Sequence, residues 1–225
     1  MTREAFHESL ERIELQLLSM GELAGSAVQR AVEAIAQRDD EKARSVVDGD
    51  DPIDELYLGI DQEILQLLAL QSPVAADLRL ISAMLHSNLH LERIGDQAVN
   101  VAKLYLATRD EPGSQTMRQQ LAEMGDVVVR MLRTAMEAFA RRNLELCLML
   151  PRMDDPVDRL NRSTHLEALK LADDPRSLDW GLHMNMAARA LERVGDNVVD
   201  IGEQVSFLLT GEFREFTDAS HTVDA

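Results

Sequence analysis

Residues 89–100 read LHLERIGDQAVN and residues 189–200 read RALERVGDNVVD, so one hexapeptide pattern recurs one hundred positions apart. On a helix, residues four apart lie about 40° from one another. Glu92, Asp96 and Asn100 therefore share one stripe, and Glu192, Asp196 and Asp200 share another. Carboxylate and amide oxygens in such a row can ligate hard or borderline cations such as magnesium, calcium, manganese or iron. The plainer reading is a solvated face, with Arg93 and Arg193 available to Asp96 and Asp196. The glycine in each copy weighs against it. Gly95 and Gly195 fall on the carboxylate side, where glycine costs about 1 kcal/mol relative to alanine and a solvated face gains nothing. A missing side chain there admits bulk, either another helix or an ion.

A second pair of acidic stretches supplies a partner face. Residues 50–54 read DDPID and 154–158 read DDPVD. Helical spacing aligns Asp50, Asp54, Tyr57 and Asp61, and likewise Asp154, Asp158, Asn161 and His165, the histidine inclining that site toward iron or zinc. Proline restricts these stretches. Pro52 and Pro156 are expected to break or kink a helix, making Asp51 and Asp155 N-caps with Asp54 and Asp158 in the first turn. Asp50 and Asp154 fit capping and ligation equally well.

Long helices must carry these residues. Phe6, Leu10, Ile13, Leu17, Met20, Ala24, Ala27 and Ala31 step by four and three, as do Met117, Leu121, Met124, Val128, Met131, Ala135 and Ala138. Leu91, Ile94, Ala98, Val101 and Tyr105 form the apolar side of the first motif helix, matched by Leu191, Val194, Val198, Ile201 and Val205. A second helix is expected after each Asp-Asp-Pro stretch. A third follows Ser72-Pro73 and Asp174-Pro175, each read as N-cap plus proline at the first helical position. No sustained alternation of period two marks a strand. The fold class is all-α: two tandem three-helix bundles, six long helices related as a pseudo-twofold repeat. Residues 1–110 form the first repeat and 113–211 the second, divided at the Pro- and Gly-containing stretch 109–114, with 212–225 as a flexible tail.

Composition bounds the function. A net charge of −17 and 4% aromatic residues argue against a nucleic-acid binder. The single cysteine, Cys147, excludes an intramolecular disulfide and a Cys-rich zinc site. The first twenty residues lack a signal-peptide pattern, and no apolar run approaches the ~20 residues that span a bilayer. The expected location is the cytoplasm. No nucleophile with a positioned base and no phosphate-cradling glycine loop is visible, so no catalytic or cofactor-binding residue is assigned. A ferritin-like di-iron enzyme would need paired Glu-x-x-His motifs, and only Glu4-x-x-His7 is present.

The stretches LERIGDQAVNVAK (91–103), LERVGDNVVDIGE (191–203), LALQSPVAADLRLI (68–81) and GDDPIDEL (49–56) together resemble the PhoU family over residues 3–211. The resemblance implies two similar three-helix bundles in tandem. It also implies a non-enzymatic negative regulator of the phosphate-starvation response that modulates phosphate uptake. Such a regulator links the ATPase of the phosphate-specific ABC transporter to a sensor histidine kinase, so membrane association would be indirect. Homodimers or higher oligomers are implied. Multinuclear iron or zinc sites in some members carry over as metal candidates Glu92, Asp96, Asn100, Asp50 and Asp54 in one half. Glu192, Asp196, Asp200, Asp154 and Asp158 are the candidates in the other, with manganese or magnesium also compatible. A metal-free helical adaptor, its acidic stripes meeting a basic partner, is the alternative.

Overall fold

The computed structural model describes residues 3–216, and among these all regular structure is helical. The elements are α1 (Arg3–Gln37), α2 (Asp40–Val47), α3 (Asp51–Leu70), α4 (Ala76–Ala107), α5 (Gln115–Arg141), α6 (Leu144–Leu169) and α7 (Pro175–Thr210). Six are long, and α2 is a short helix ahead of α3. Helix starts follow local chemistry. Asp39, Ser114, Asn143 and Asp174 each accept from a backbone N–H in the first turn, satisfying donors that the helix leaves open. Arg142 and Gly211 close α5 and α7 in the left-handed region, at φ 52° and 76°.

Helices α1, α4, α5 and α7 make the centre. α1 packs on α5 and α4 on α7 across the repeat, while α3 lies on α1 and α4, and α6 lies on α5 and α7. The pseudo-twofold relation is thus α1 with α5, α2–α3 with α6, and α4 with α7. Every apolar position expected in the first motif helix and its counterpart is buried, as is the whole α5 seam. In α1, Val28 rather than Ala27 completes the buried stripe. One cluster of buried residues joins both halves, from Phe6 to Val205. The two bundles therefore bury their apolar faces on each other, which neither could do alone.

Three expected boundaries differ. α6 starts at Leu144, capped by Asn143, and runs through both Pro151 and Pro156. Proline inside a helix costs about 3 kcal/mol, but Cys147, Leu150 and Val157 are fully buried on either side and hold the helix together. Asp155 is consequently mid-helix rather than a cap. In the first half the break occurs instead at Asp48-Gly49-Asp50, so Asp50 is the N-cap of α3 and Asp51 its first residue. Asp50 makes no side-chain capping bond, and Pro52 sits in the first turn, where its missing N–H is harmless. α4 begins at Ala76, three residues beyond Pro73, after Ala75 turns the chain at φ 50°.

Candidate functional site

Each acidic stripe lies at the edge of an interface with the outer helix of its own half. In α4, Gly95 is buried, Glu92 is half-buried, and Asp96 and Asn100 are exposed. A Cβ on Gly95 would lie 3.0 Å from Ile53 Cδ1 and 3.6 Å from Asp50 Oδ1. In α7 the counterpart is tighter, because a Cβ on Gly195 would overlap Asp154 Oδ1. The glycines thus exist for close approach of α3 and α6, and that approach brings Asp50 and Asp154 onto the two motifs. This was one of the two readings of the glycines, and it delivers a carboxylate to each stripe.

In the first half neighbouring carboxyls act on one another. Burial raises the Asp50 carboxyl above its ordinary range, and the charges of Asp54 and Asp96 raise it further, while Lys103 opposes them. Glu92 is raised by burial and then by Asp96, Asp54 and Asp50, with Arg93 opposing. Like charges brought together favour either a proton or a cation. Among the described residues no three Asp, Glu, His or Cys side chains converge on one point within ligating range. The oxygen donors are of a type that suits a hard cation, and they share one face without closing into a ligand cluster.

The second half is built differently. Asp154, Asp196 and Asp200 line a recess of about 250 Å³ together with Pro151, Val199, Glu203 and Phe216. Asp158, one turn further along α6, is half-buried and lies 4.0 Å from Arg162. Glu192 is half-buried on the same side of α7 as Asp196. His165 does not join them: it lines a separate cleft with Arg162, Asn185 and Arg189. The expected histidine ligand shares the helical phase of Asp154 but lies three turns, roughly 16 Å, further along the unbroken α6.

Two contributors were not assigned from sequence. His90, expected only at a surface or helix contact, crosses from α4 to α7, where its Nδ1 is 2.9 Å from Asn197 Oδ1 and 3.5 Å from Asp200 Oδ2. It ties the third residue of the second stripe to the helix that carries the first. Glu203 is the other. It is buried near Asp200, its carboxyl raised by burial and by the charges of Asp200 and Glu215, while the Phe216 N–H that it accepts opposes the shift. A signal existed: Lys103 and Glu203 end the two quoted motif segments at equivalent positions, with opposite charge.

Residues 212–216, expected to fray, run back over this recess, and Phe216 packs against the core. The remaining residues of the expected tail, 217–225, lie outside the described part. Among the described residues no helix is long and apolar enough to cross a membrane.

A tandem all-α fold with a glycine-centred acidic motif on equivalent helices of each half defines a class of protein. The PhoU domain family model matches residues 17–105 and again 121–205, one match per repeat. The chain belongs to the PhoU family. It is 35% identical over 219 residues to a phosphate-specific transport system accessory protein PhoU homolog of Pseudomonas putida, covering 97% of this chain and 84% of that protein. The homolog from Pseudomonas aeruginosa is also 35% identical over 219 residues, covering 97% of this chain and 88% of that protein. The crystal structure of PhoU from Pseudomonas aeruginosa superposes with a TM-score of 0.87 at 35% identity, covering 92% of this chain and all of that one. The phosphate transport system regulatory protein PhoU from Streptococcus pneumoniae gives 0.85 at 27% identity, covering 94% of this chain and all of that one.

Proposed function

We propose that this protein is an accessory regulator of phosphate-specific transport, acting through protein contacts rather than catalysis. The observation that carries this reading is the likeness over nearly the whole chain to relatives named as accessory proteins of that system. In the finer form of the proposal, the protein represses the phosphate-starvation response when phosphate is plentiful. It does so by linking the transporter ATPase to the cytoplasmic region of a sensor histidine kinase. It works in the cytoplasm as a homodimer or higher oligomer and reaches the membrane through those partners. Support for a contact-based role comes from the surface, since Leu65, Leu68, Leu70, Val74 and Leu78 are exposed near the α3–α4 turn.

Metal binding belongs to the same proposal. Asp50, Asp54, Glu92, Asp96 and Asn100 would hold a cation in the first half, and Asp154, Asp158, Glu192, Asp196 and Asp200 in the second. Iron, zinc, manganese and magnesium all suit such donors. A bound cation would supply positive charge between carboxylates that repel one another. The residues themselves do the positioning: Gly95 and Gly195 admit the outer helices, and His90 reaches both Asn197 and Asp200 from α4. The metal-free adaptor reading assigns the same acidic faces to a basic partner surface.

The test is a deletion strain with co-purification. Loss of phosphate repression, together with capture of the transporter ATPase and the kinase region by tagged protein, is the expected result. A deletion strain with normal repression and normal uptake would refute the regulatory role.

A further inference from the structure

Helices α6 and α7 approach closely at two glycines. Near their connecting turn a Cβ on Gly181 would lie 2.9 Å from Leu171 Cδ1 and 3.5 Å from Ala168 Cα, and further along Gly195 admits Asp154. Between these contacts the two helices border a cleft of about 560 Å³. Asn161, Arg162, His165 and Leu166 line it from α6, and Asn185 and Arg189 from α7. Helical spacing explains this lining. Asn161 and His165 are four apart, as are Arg162 and Leu166, and Asn185 and Arg189, so each helix turns one stripe toward the cleft.

Every polar residue of that lining can donate a hydrogen bond, and none is a carboxylate. Such a lining stands out in a chain with 40 Asp and Glu against 23 Lys and Arg. Other arginines are engaged by acids: Arg12 by Glu63, Arg109 by Asp40, Arg142 by Glu14 and Arg176 by Glu111. In the cleft, Arg162 reaches only Asp158, at 4.0 Å. Among the described residues, the side chains of His165 and Arg189 make no hydrogen bond or ion pair. The fold does not demand this arrangement. The repeat places Tyr57, Leu58, Asp61 and Gln62 of α3 and Leu85 and Leu89 of α4 at the corresponding positions, without a single cation.

Donors gathered from two facing helices, with no acid among them, suit an oxyanion. A carboxylate has two oxygens in one plane and is satisfied by a single bidentate arginine. A phosphoryl group carries more charge and about three oxygens pointing apart, so it can use two guanidinium groups together with neutral donors. We propose that the α6–α7 cleft binds a phosphoryl group, either free phosphate or a phosphate monoester, between Arg162 and Arg189, with His165, Asn161 and Asn185 as further donors. Leu166 gives the organic part of an ester an apolar surface to rest on. The site is separate from the acidic stripes and needs no metal. Joined to the regulatory reading above, it would let the protein respond to phosphate directly.

Titration of the full chain with inorganic phosphate, glycerol 3-phosphate and succinate, followed by backbone amide shifts, tests this. At least one of the two phosphates should move the amides of residues 161–166 and 185–189 and saturate with a Kd on the order of 1 mM, as a few charge-assisted hydrogen bonds at an open surface allow. Which of them binds identifies the source of the phosphoryl group. Arg162→Gln and Arg189→Gln should each weaken binding about tenfold. Both arginines are exposed, so the thermal melts should not change. Arg130→Gln, also exposed but on α5, should leave binding as it was. Succinate binding as tightly as the phosphates would overturn the proposal, as would phosphate binding that survives both cleft substitutions. Absence of any saturable shift would overturn it as well, while the regulatory reading would still stand or fall on the deletion strain.

Discussion

Gly195 on α7 faces Asp154 on α6 so closely that a single added methyl would overlap the carboxylate oxygen. The matching pair in the first half, Gly95 and Asp50, leaves 3.6 Å for the same atom. The repeat thus preserves the glycine while the room beside it has diverged.

Gly195→Ala should consequently move Asp154 or the backbone of α6. We expect a loss of about 1–3 kcal/mol, the usual range for overpacking a filled site. Gly95→Ala meets the flexible end of Ile53 at 3.0 Å, and the gain of about 1 kcal/mol in helix propensity offsets that contact. Its net effect should stay within about 1 kcal/mol of zero. Paired thermal melts of the two variants distinguish them; equal losses would mean that the two approaches are equivalent.

Asp50 and Glu92 carry carboxyls raised by burial first and by their acidic neighbours second. A raised carboxyl binds its proton more tightly in the folded protein, so folding is disfavoured once pH exceeds the ordinary carboxylate range. Asp50→Asn and Glu92→Gln should therefore raise the Tm of metal-free protein at pH 7. The advantage should shrink as pH falls and the native groups become protonated in both states. Both groups are only half-buried, so solvent screening limits the size of the effect.

Saturating Mn2+ should reverse that order, since a cation stabilises the folded state in proportion to its binding and the neutral variants bind less. Asp96→Ala combined with Asp196→Ala should abolish most of the Tm increase caused by iron, zinc or manganese. An unchanged Tm on adding these ions to the unsubstituted protein, with no metal found by elemental analysis, would count against metal binding and favour the adaptor.

Cys147 is fully buried in α6, and burial pushes its thiol up to about 11. It should react with a disulfide reagent at pH 8 only as fast as the fold opens. Because the thiol ionises more readily when unfolded, stability should fall as pH climbs past its ordinary value of 9.0 toward 11. Rapid labelling of native protein at neutral pH would contradict the packing of α6.

Much of this architecture is written in the order of residues. Apolar steps of four and three specify the buried faces of α1, α4, α5 and α7 because a helix repeats every 3.6 residues. The duplicated Glu-x-x-x-Asp pattern locates both acidic stripes, since i and i+4 share a face whatever surrounds them. Asp174-Pro175 marks the start of α7 through capping alone. Local rules misplace α6, whose prolines are overruled by burial of Cys147, Leu150 and Val157 from outside the helix. They likewise say nothing of His90 reaching Asp200, of Phe216 closing on Glu203, or of the different spaces beside Gly95 and Gly195. Those are contacts between distant segments, decided by how the helices dock. Periodicity determines which face a side chain is on; only packing determines what lies opposite it.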